Sequence, residues 1–540
     1  MSTGVSGSPV LLTAPPHDAG ISPVLVGGLA LAALGVGFFF LRGQKSSDAP
    51  SGEAAPSATS EAAGDLTAEL TLAQAAAKKP AKKGKLGAEF KTRLDGFCRT
   101  LRSYREVDLS GQNLGDEGAA YISESFAFND AAQSVNLGGN QIGAPGIAAI
   151  LVAMQHNTRI SSLNLSGNSL GDEGARFVAE YLKSGAGSRL DTLSLASNGI
   201  GDEGARHLAD ALQLNTTLTN LDLGNNAIDY DGSGALAQAL SGNSSLTQLT
   251  LSGNYVGGLG AAALAAAMRA NTSVVDLSLA GNGIGNEGAK ALFEALKESK
   301  AEVGTLDVSN NGIGPEGGLA IAAYLSGNKT CKSLNLYMND LGDEGAIAIG
   351  SSMASNSTLT TLELGGNNVR WSGVKPLAEA LRKNESLSSL DLSYNPIGAD
   401  GGKAVAEAVK FGGKVETLRL GWCKMEKQGG AAFADALRYN GSISTLDLRG
   451  NNLGDDGAIA LASTLQVVNE TLTFLDLGYN EIKDKGAYAL AQALKNNGQG
   501  SLVTIGVANN YLTKYGEVAL TEAADLVREL YKGREVNITF

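Results

Sequence analysis

The sequence predicts an α/β solenoid, a curved horseshoe with a parallel inner β-sheet and outer helices. A single N-terminal transmembrane helix and a disordered linker precede it. Three observations predict this. A strand–turn–helix phrase, seen at Leu163–Gly174 as LNLSGNSLGDEG, returns every 28 to 30 residues until the chain ends. A short fixed period marks stacked repeats rather than separate globular domains. Within each phrase an apolar pair in period-2 alternation gives way to apolar residues at i, i+3, i+4 and i+7, a strand followed by a helix. Before the phrases begin, Ile21–Leu41 carries no charge.

Taken in order, residues 1–20 form a polar tail without Lys or Arg. The uncharged run 21–41 is long enough, at about 1.5 Å per residue, to cross a hydrocarbon core of roughly 30 Å. It starts too late and runs too long for a signal peptide. Arg42 and Lys45 follow it and nothing basic precedes it, which places the C-terminal side in the cytoplasm. Residues 42–88 are rich in Ala, Ser, Pro and Lys and read as a disordered tether. They end in the basic cluster Lys78, Lys79, Lys82, Lys83 and Lys85. From 89 to 104, Phe90, Leu94, Phe97, Cys98 and Leu101 make the apolar face of an N-terminal cap helix. About fifteen repeats fill 105–512, and 513–540 close the array with a helix and a strand.

Each repeat assigns its residues a role. Pairs such as Leu163/Leu165 and Leu418/Leu420 face the core, and the residue between them faces the inner surface. Three residues further on runs a polar ladder of asparagines, from Asn140 to Asn510. It holds Gln112 in the first repeat and Cys423 in the twelfth. An amide there serves backbone groups stranded at a turn inside a dry stack. Acid pairs such as Asp172/Glu173 and Asp202/Glu203 stand where a helix N-terminus favours negative charge. The glycine after each pair lets helix and strand approach closely. Strands about 4.8 Å apart beside helices 8–10 Å apart force the curvature.

The phrase LxLxxNxIGDEGAxxLAxAL, with a period of about 28, resembles the ribonuclease-inhibitor class of leucine-rich repeats, from about Glu106 to the C-terminus. That class includes ribonuclease inhibitor, the Ran GTPase-activating protein and the repeat domains of NLR innate sensors. The resemblance implies a horseshoe that binds other proteins. Through the Ran activator it also implies a possible small-GTPase partner, although no arginine here matches a catalytic position of that family.

Composition and motifs narrow the chemistry. A net charge of −13 argues against a nucleic-acid footprint, which is basic and clustered. Cys98, Cys331 and Cys423 lie far apart, without metal spacing or a disulfide framework. His17, His156 and His207 join no nucleophile–base or metal arrangement. No GxxxxGK[ST] loop occurs. The expectation is therefore no catalytic residues, no metal and no cofactor. Eight Asn-x-Ser/Thr triplets, at Asn215, Asn243, Asn271, Asn328, Asn356, Asn384, Asn440 and Asn469, keep one position in the repeat. That regularity reads as a helix-ending turn rather than glycosylation.

The inner face changes character along the array. Early repeats carry acids and small polar residues there. Later ones acquire Tyr337, Met338, Tyr394, Arg419, Trp422, Arg449, Phe474 and Tyr479, and Arg370–Trp371 replaces Gly-Asp in its loop. Exposed Trp, Tyr and Arg are the composition of a binding hot spot. The candidate partner-binding residues are thus Tyr337, Arg370, Trp371, Tyr394, Arg419, Trp422, Arg449, Phe474 and Tyr479. Asp391, Asp447 and Asp476 form the expected polar rim. The overall expectation is a membrane-anchored scaffold for protein–protein interaction.

Overall fold

The computed structural model describes residues 104–540, apart from 128, 156, 185–188, 467–468 and 499. The polar tail, the span Ile21–Leu41, the linker, all but Tyr104 of the expected cap helix, and His156 lie outside the described residues. Among the described residues no helix is long and apolar enough to cross a membrane.

One parallel sheet of sixteen strands, β1 (Glu106–Asp108) to β16 (Asn537–Thr539), runs in strict sequence order. Among the described residues fifteen helices, α1 (Gly115–Ala127) to α15 (Lys514–Leu530), alternate with the strands and pack one against the next on the outer side. Every strand is three residues, and in all but β16 the middle residue is buried, as in Ser162–Leu163–Asn164. The register never slips: Leu163 lies opposite Leu193, and Leu390 opposite Leu418. A one-residue slip would send the whole leucine row to the solvent face. The second leucine of each expected pair falls just beyond the strand, where its amide continues the ladder, as Leu165 N–H does to Ser194 O at 2.9 Å.

The core is aliphatic. In α4 (Asp202–Leu212), Ala205, Leu208, Ala209 and Leu212 are buried at helical spacing. Leu193, Leu195 and Ile200 of the same repeat meet them. A fully buried leucine contributes roughly 1.5–3 kcal/mol, so the repeats gain stability mainly by covering one another.

Two asparagine ladders close the turns. At the strand ends, Asn168 Oδ1 accepts from the amides of Asn140 and Ile142, both at 3.0 Å. Its Nδ2 donates to Leu137 O at 3.0 Å and Leu165 O at 2.8 Å. A second ladder follows each helix and includes the residues of the Asn-x-Ser/Thr triplets. Asn243 is buried, with Nδ2 donating to Leu212 O at 2.8 Å and Oδ1 accepting from Leu246 N–H at 2.8 Å. All eight triplet asparagines are buried, so a glycan on any of them is incompatible with this fold.

The acid pairs differ from expectation in one respect. The aspartate caps the helix of the following repeat rather than its own. Asp172 Oδ1 accepts from Gly201 N–H at 2.7 Å and Gly204 N–H at 3.0 Å, at the start of α4. Asp116, Asp202 and Asp455 serve the next repeat in the same way. This also revises the reading of the glycine after each acid pair. A Cβ on Gly204 would lie 2.7 Å from both Asp172 Oδ1 and Ile200 Cγ2, and one on Gly174 would lie 2.7 Å from Leu170 Cβ, so the close approach is to side chains and not to a strand.

Candidate partner-binding face

The residue just before each ladder position has a positive φ, between 52° and 69°, in all fifteen repeats from Gly111 to Asn509. This left-handed conformation suits glycine and is tolerated by asparagine, whereas other side chains lose roughly 1–2 kcal/mol in it. The early repeats comply, with Gly111, Gly139, Gly167, Asn225, Gly253 and Gly281, and Ser197 as the mild exception. The bulky occupants are Met338, Tyr394, Trp422 and Tyr479, all in repeats nine to fourteen. Chain folding alone does not call for large side chains at these positions.

Three of these residues join Tyr337 in a continuous row of rings. Tyr337 meets Tyr394 edge-on with centroids 6.4 Å apart, and Tyr394 lies near-parallel to Trp422 at 6.3 Å. Trp422 is tilted against Tyr479 at 5.3 Å. Glycines in the intervening repeats make room. A Cβ on Gly365 would stand 2.7 Å from the Tyr337 ring, and one on Gly450 would run into the ring of Trp422. The rings are braced yet open to solvent, with Tyr394 at 49% exposure and Trp422 at 40%.

Beneath the row lies a charged floor contributed by the last residue of successive strands. Along it stand Asp307, Asn335, Glu363, Asp391, Arg419, Asp447 and Asp476, each opposite the next. Arg449 Nε pairs with Asp447 Oδ2 at 2.9 Å, and Arg419 Nη1 stands 3.7 Å from Glu363 Oε1. Asp391 and Asp447, expected at the rim, are buried at 8% and 4% exposure, below the rings rather than around them. Burial pushes the carboxyls of Asp307, Glu363 and Asp391 up, and that of Asp447 up to about 6. Burial also lifts the Tyr337 phenol to about 12.

The structure therefore joins Tyr337, Tyr394, Trp422 and Tyr479 in the row, with Arg419 and Arg449 in the charged floor. It places the other candidates elsewhere. Phe474 is exposed at the start of β14 (Phe474–Asp476), two residues before Asp476. Arg370 and Trp371 stand at the entry to α10 (Trp371–Leu381). The Arg370 amide donates to Asp343 Oδ1 at 2.6 Å, and Lys375 Nζ lies 5.7 Å from the Trp371 ring. No ring contact links Trp371 to the row among the described residues. Sequence reading missed the glycines at 365, 366 and 450. Their signal was a bulky residue followed 28 positions later by glycine.

Cys423 fills the ladder slot beside Trp422. Its thiol donates to Leu392 O at 3.2 Å, and its amide donates to Asn451 Oδ1 at 3.0 Å. A thiol has no amide-like acceptor to return, and Ile397 N–H turns instead to Asn395 O at 2.7 Å. Burial pushes the thiol's pKa well up, which suits a packed side chain rather than a reactive one. Among the described residues no group of His, Cys, Asp and Glu could hold a metal ion.

Twelve segments match a family model described as leucine rich repeat: 133–151, 156–179, 190–209, 214–237, 242–265, 270–293, 305–322, 327–350, 355–378, 383–406, 439–462 and 468–491. The chain belongs to the leucine-rich repeat proteins. The matched segments leave out 407–438, the stretch that carries Trp422 and Cys423. No curated protein matches the chain. Among solved structures, a chain of the TLR13–ssRNA13 complex is 18% identical, covering 76% of this chain and 57% of that one, with a TM-score of 0.49. A chain of the yeast Rad7–Elc1 complex is 16% identical over 74% and 90%, with a TM-score of 0.43. An internalin from Listeria monocytogenes is 15% identical over 88% and 95%, with a TM-score of 0.35.

Proposed function

We propose that this protein is a scaffold that binds a protein partner on the inner face of repeats nine to fourteen. The carrying observation is the left-handed column, where large side chains accumulate only in those repeats. Preformed rings bring contact area at little ordering cost, which is what a binding hot spot needs. Replacing Trp422 and Arg449 together by alanine should abolish partner recovery in a pull-down and leave circular dichroism unchanged. Undiminished recovery would sink the reading.

Two further parts belong to the same proposal. The regular alternation of one strand and one helix per 28-residue repeat supports membership of the ribonuclease-inhibitor class. The uncharged run Ile21–Leu41 supports a single-pass anchor with the repeats on the cytoplasmic side. Protease added outside sealed microsomes that carry the protein should digest the repeats, and full protection of the repeats would reverse that topology. GTPase activation is the alternative activity. Accelerated GTP hydrolysis in a panel of small GTPases would favour it over the scaffold.

A further inference from the structure

The floor under the ring row is short of positive charge. Five carboxylates, Asp307, Glu363, Asp391, Asp447 and Asp476, share two cations, Arg419 and Arg449, a deficit of three. Arg449 is committed to Asp447 at 2.9 Å. Arg419 is flanked in register by Asp391 and Asp447 and reaches past Asp391 to Glu363 at 3.7 Å. Glu363 and Asp391 are themselves register partners, two acids side by side on a half-buried face. Like charges directly opposite one another in a sheet repel, and partial burial deprives them of the water that would screen them. A partner that brings cations removes this repulsion. Open tyrosine and tryptophan faces alongside attract the same groups.

We propose that the sheet face of repeats eight to fourteen receives a basic segment of a partner protein. A lysine or arginine of that segment sits on the partly exposed Glu363, beside the buried Asp391, and its neighbours lie along the rings of Tyr337, Tyr394 and Trp422. This rests on the partner-binding reading above and adds the partner's charge. An acidic segment or a phosphate backbone would meet the deficit with more negative charge and be repelled.

The test uses the full chain in neutral detergent and two labelled decapeptides, one alternating Lys and Ala and the other Glu and Ala, followed by fluorescence anisotropy. The lysine peptide should bind, weaken with added salt, and lose at least tenfold in affinity when Glu363→Gln and Asp391→Asn are combined. Glu173→Gln with Glu203→Gln, on exposed outer-helix positions, controls for the overall negative charge and should leave binding unchanged. Equal or tighter binding of the glutamate peptide overturns the inference. So does equal loss in the outer-helix control, or no loss in the inner-face variant. If the ring variant loses its pull-down partners while the lysine peptide ignores the inner-face substitutions, the interface stands and only its proposed charge preference falls.

Discussion

Asp447→Asn probes the charged floor through stability alone. Burial raises the Asp447 carboxyl from an ordinary 3.8 to about 6. A carboxyl with a higher pKa in the folded than in the unfolded chain binds its proton better when folded. Its contribution to stability is therefore complete below about pH 3.8, declines as the pH rises, and is lost above about pH 6. Two pKa units at about 1.4 kcal/mol each set the size of that loss near 3 kcal/mol. Asparagine keeps the Oδ1 acceptor for the Arg449 amide, now at 3.0 Å, and does not titrate. The Arg449 ion pair is already contained in that net shift, so its loss adds only a pH-independent offset. Urea unfolding of both proteins, followed by tryptophan emission at several pH values from 3.5 to 7.5, gives the difference directly. Relative to the wild type, the variant should gain about 3 kcal/mol across that range, most of it between pH 4 and 6. A flat difference, or a gain toward low pH, would refute the claim that the floor holds a strained carboxylate.

Other consequences can be checked site by site. Asp172→Ala should cost about 1–2 kcal/mol and speed hydrogen exchange at Gly201 and Gly204 of the next repeat, not in the helix that contains Asp172. Asn451→Ala removes donations to Leu420 O and Leu448 O and the acceptor for the Cys423 and Met425 amides. It leaves buried groups orphaned at a cost of about 3 kcal/mol or more, measurable by chemical denaturation. Gly450→Ala combines left-handed strain with a clash against Trp422, whereas Gly111→Ala adds a Cβ in open space. The first should lose about 2 kcal/mol and red-shift tryptophan emission. The second should lose about 1 kcal/mol with no spectral change.

Much of the solenoid was legible because its determinants are local and repeated. Alternating Leu163 and Leu165, the helical spacing of Ala205, Leu208, Ala209 and Leu212, and a regular asparagine ladder each state a periodicity within one repeat. Fifteen copies average out the ambiguity of any single one. The residues that interact across repeats were harder to read. That Asp172 caps its neighbour's helix, and that a Cβ on Gly204 would meet that carboxylate as well as Ile200, depends on which atoms stacking brings together. The same limit applied to the candidate site. Composition drew attention to Tyr394, Trp422 and Arg449, but it could not separate them from Arg370, Trp371 and Phe474, which lie outside the ring row. It set Asp391 and Asp447 at a rim when they form a buried floor. The sequence by itself determined the repeat, its strands and helices, and which repeats depart from the pattern, because these follow from side-chain periodicity along the chain. Only the tertiary structure decided that the departures meet, as rings over carboxylates, because the stack brings residues 28 positions apart into contact.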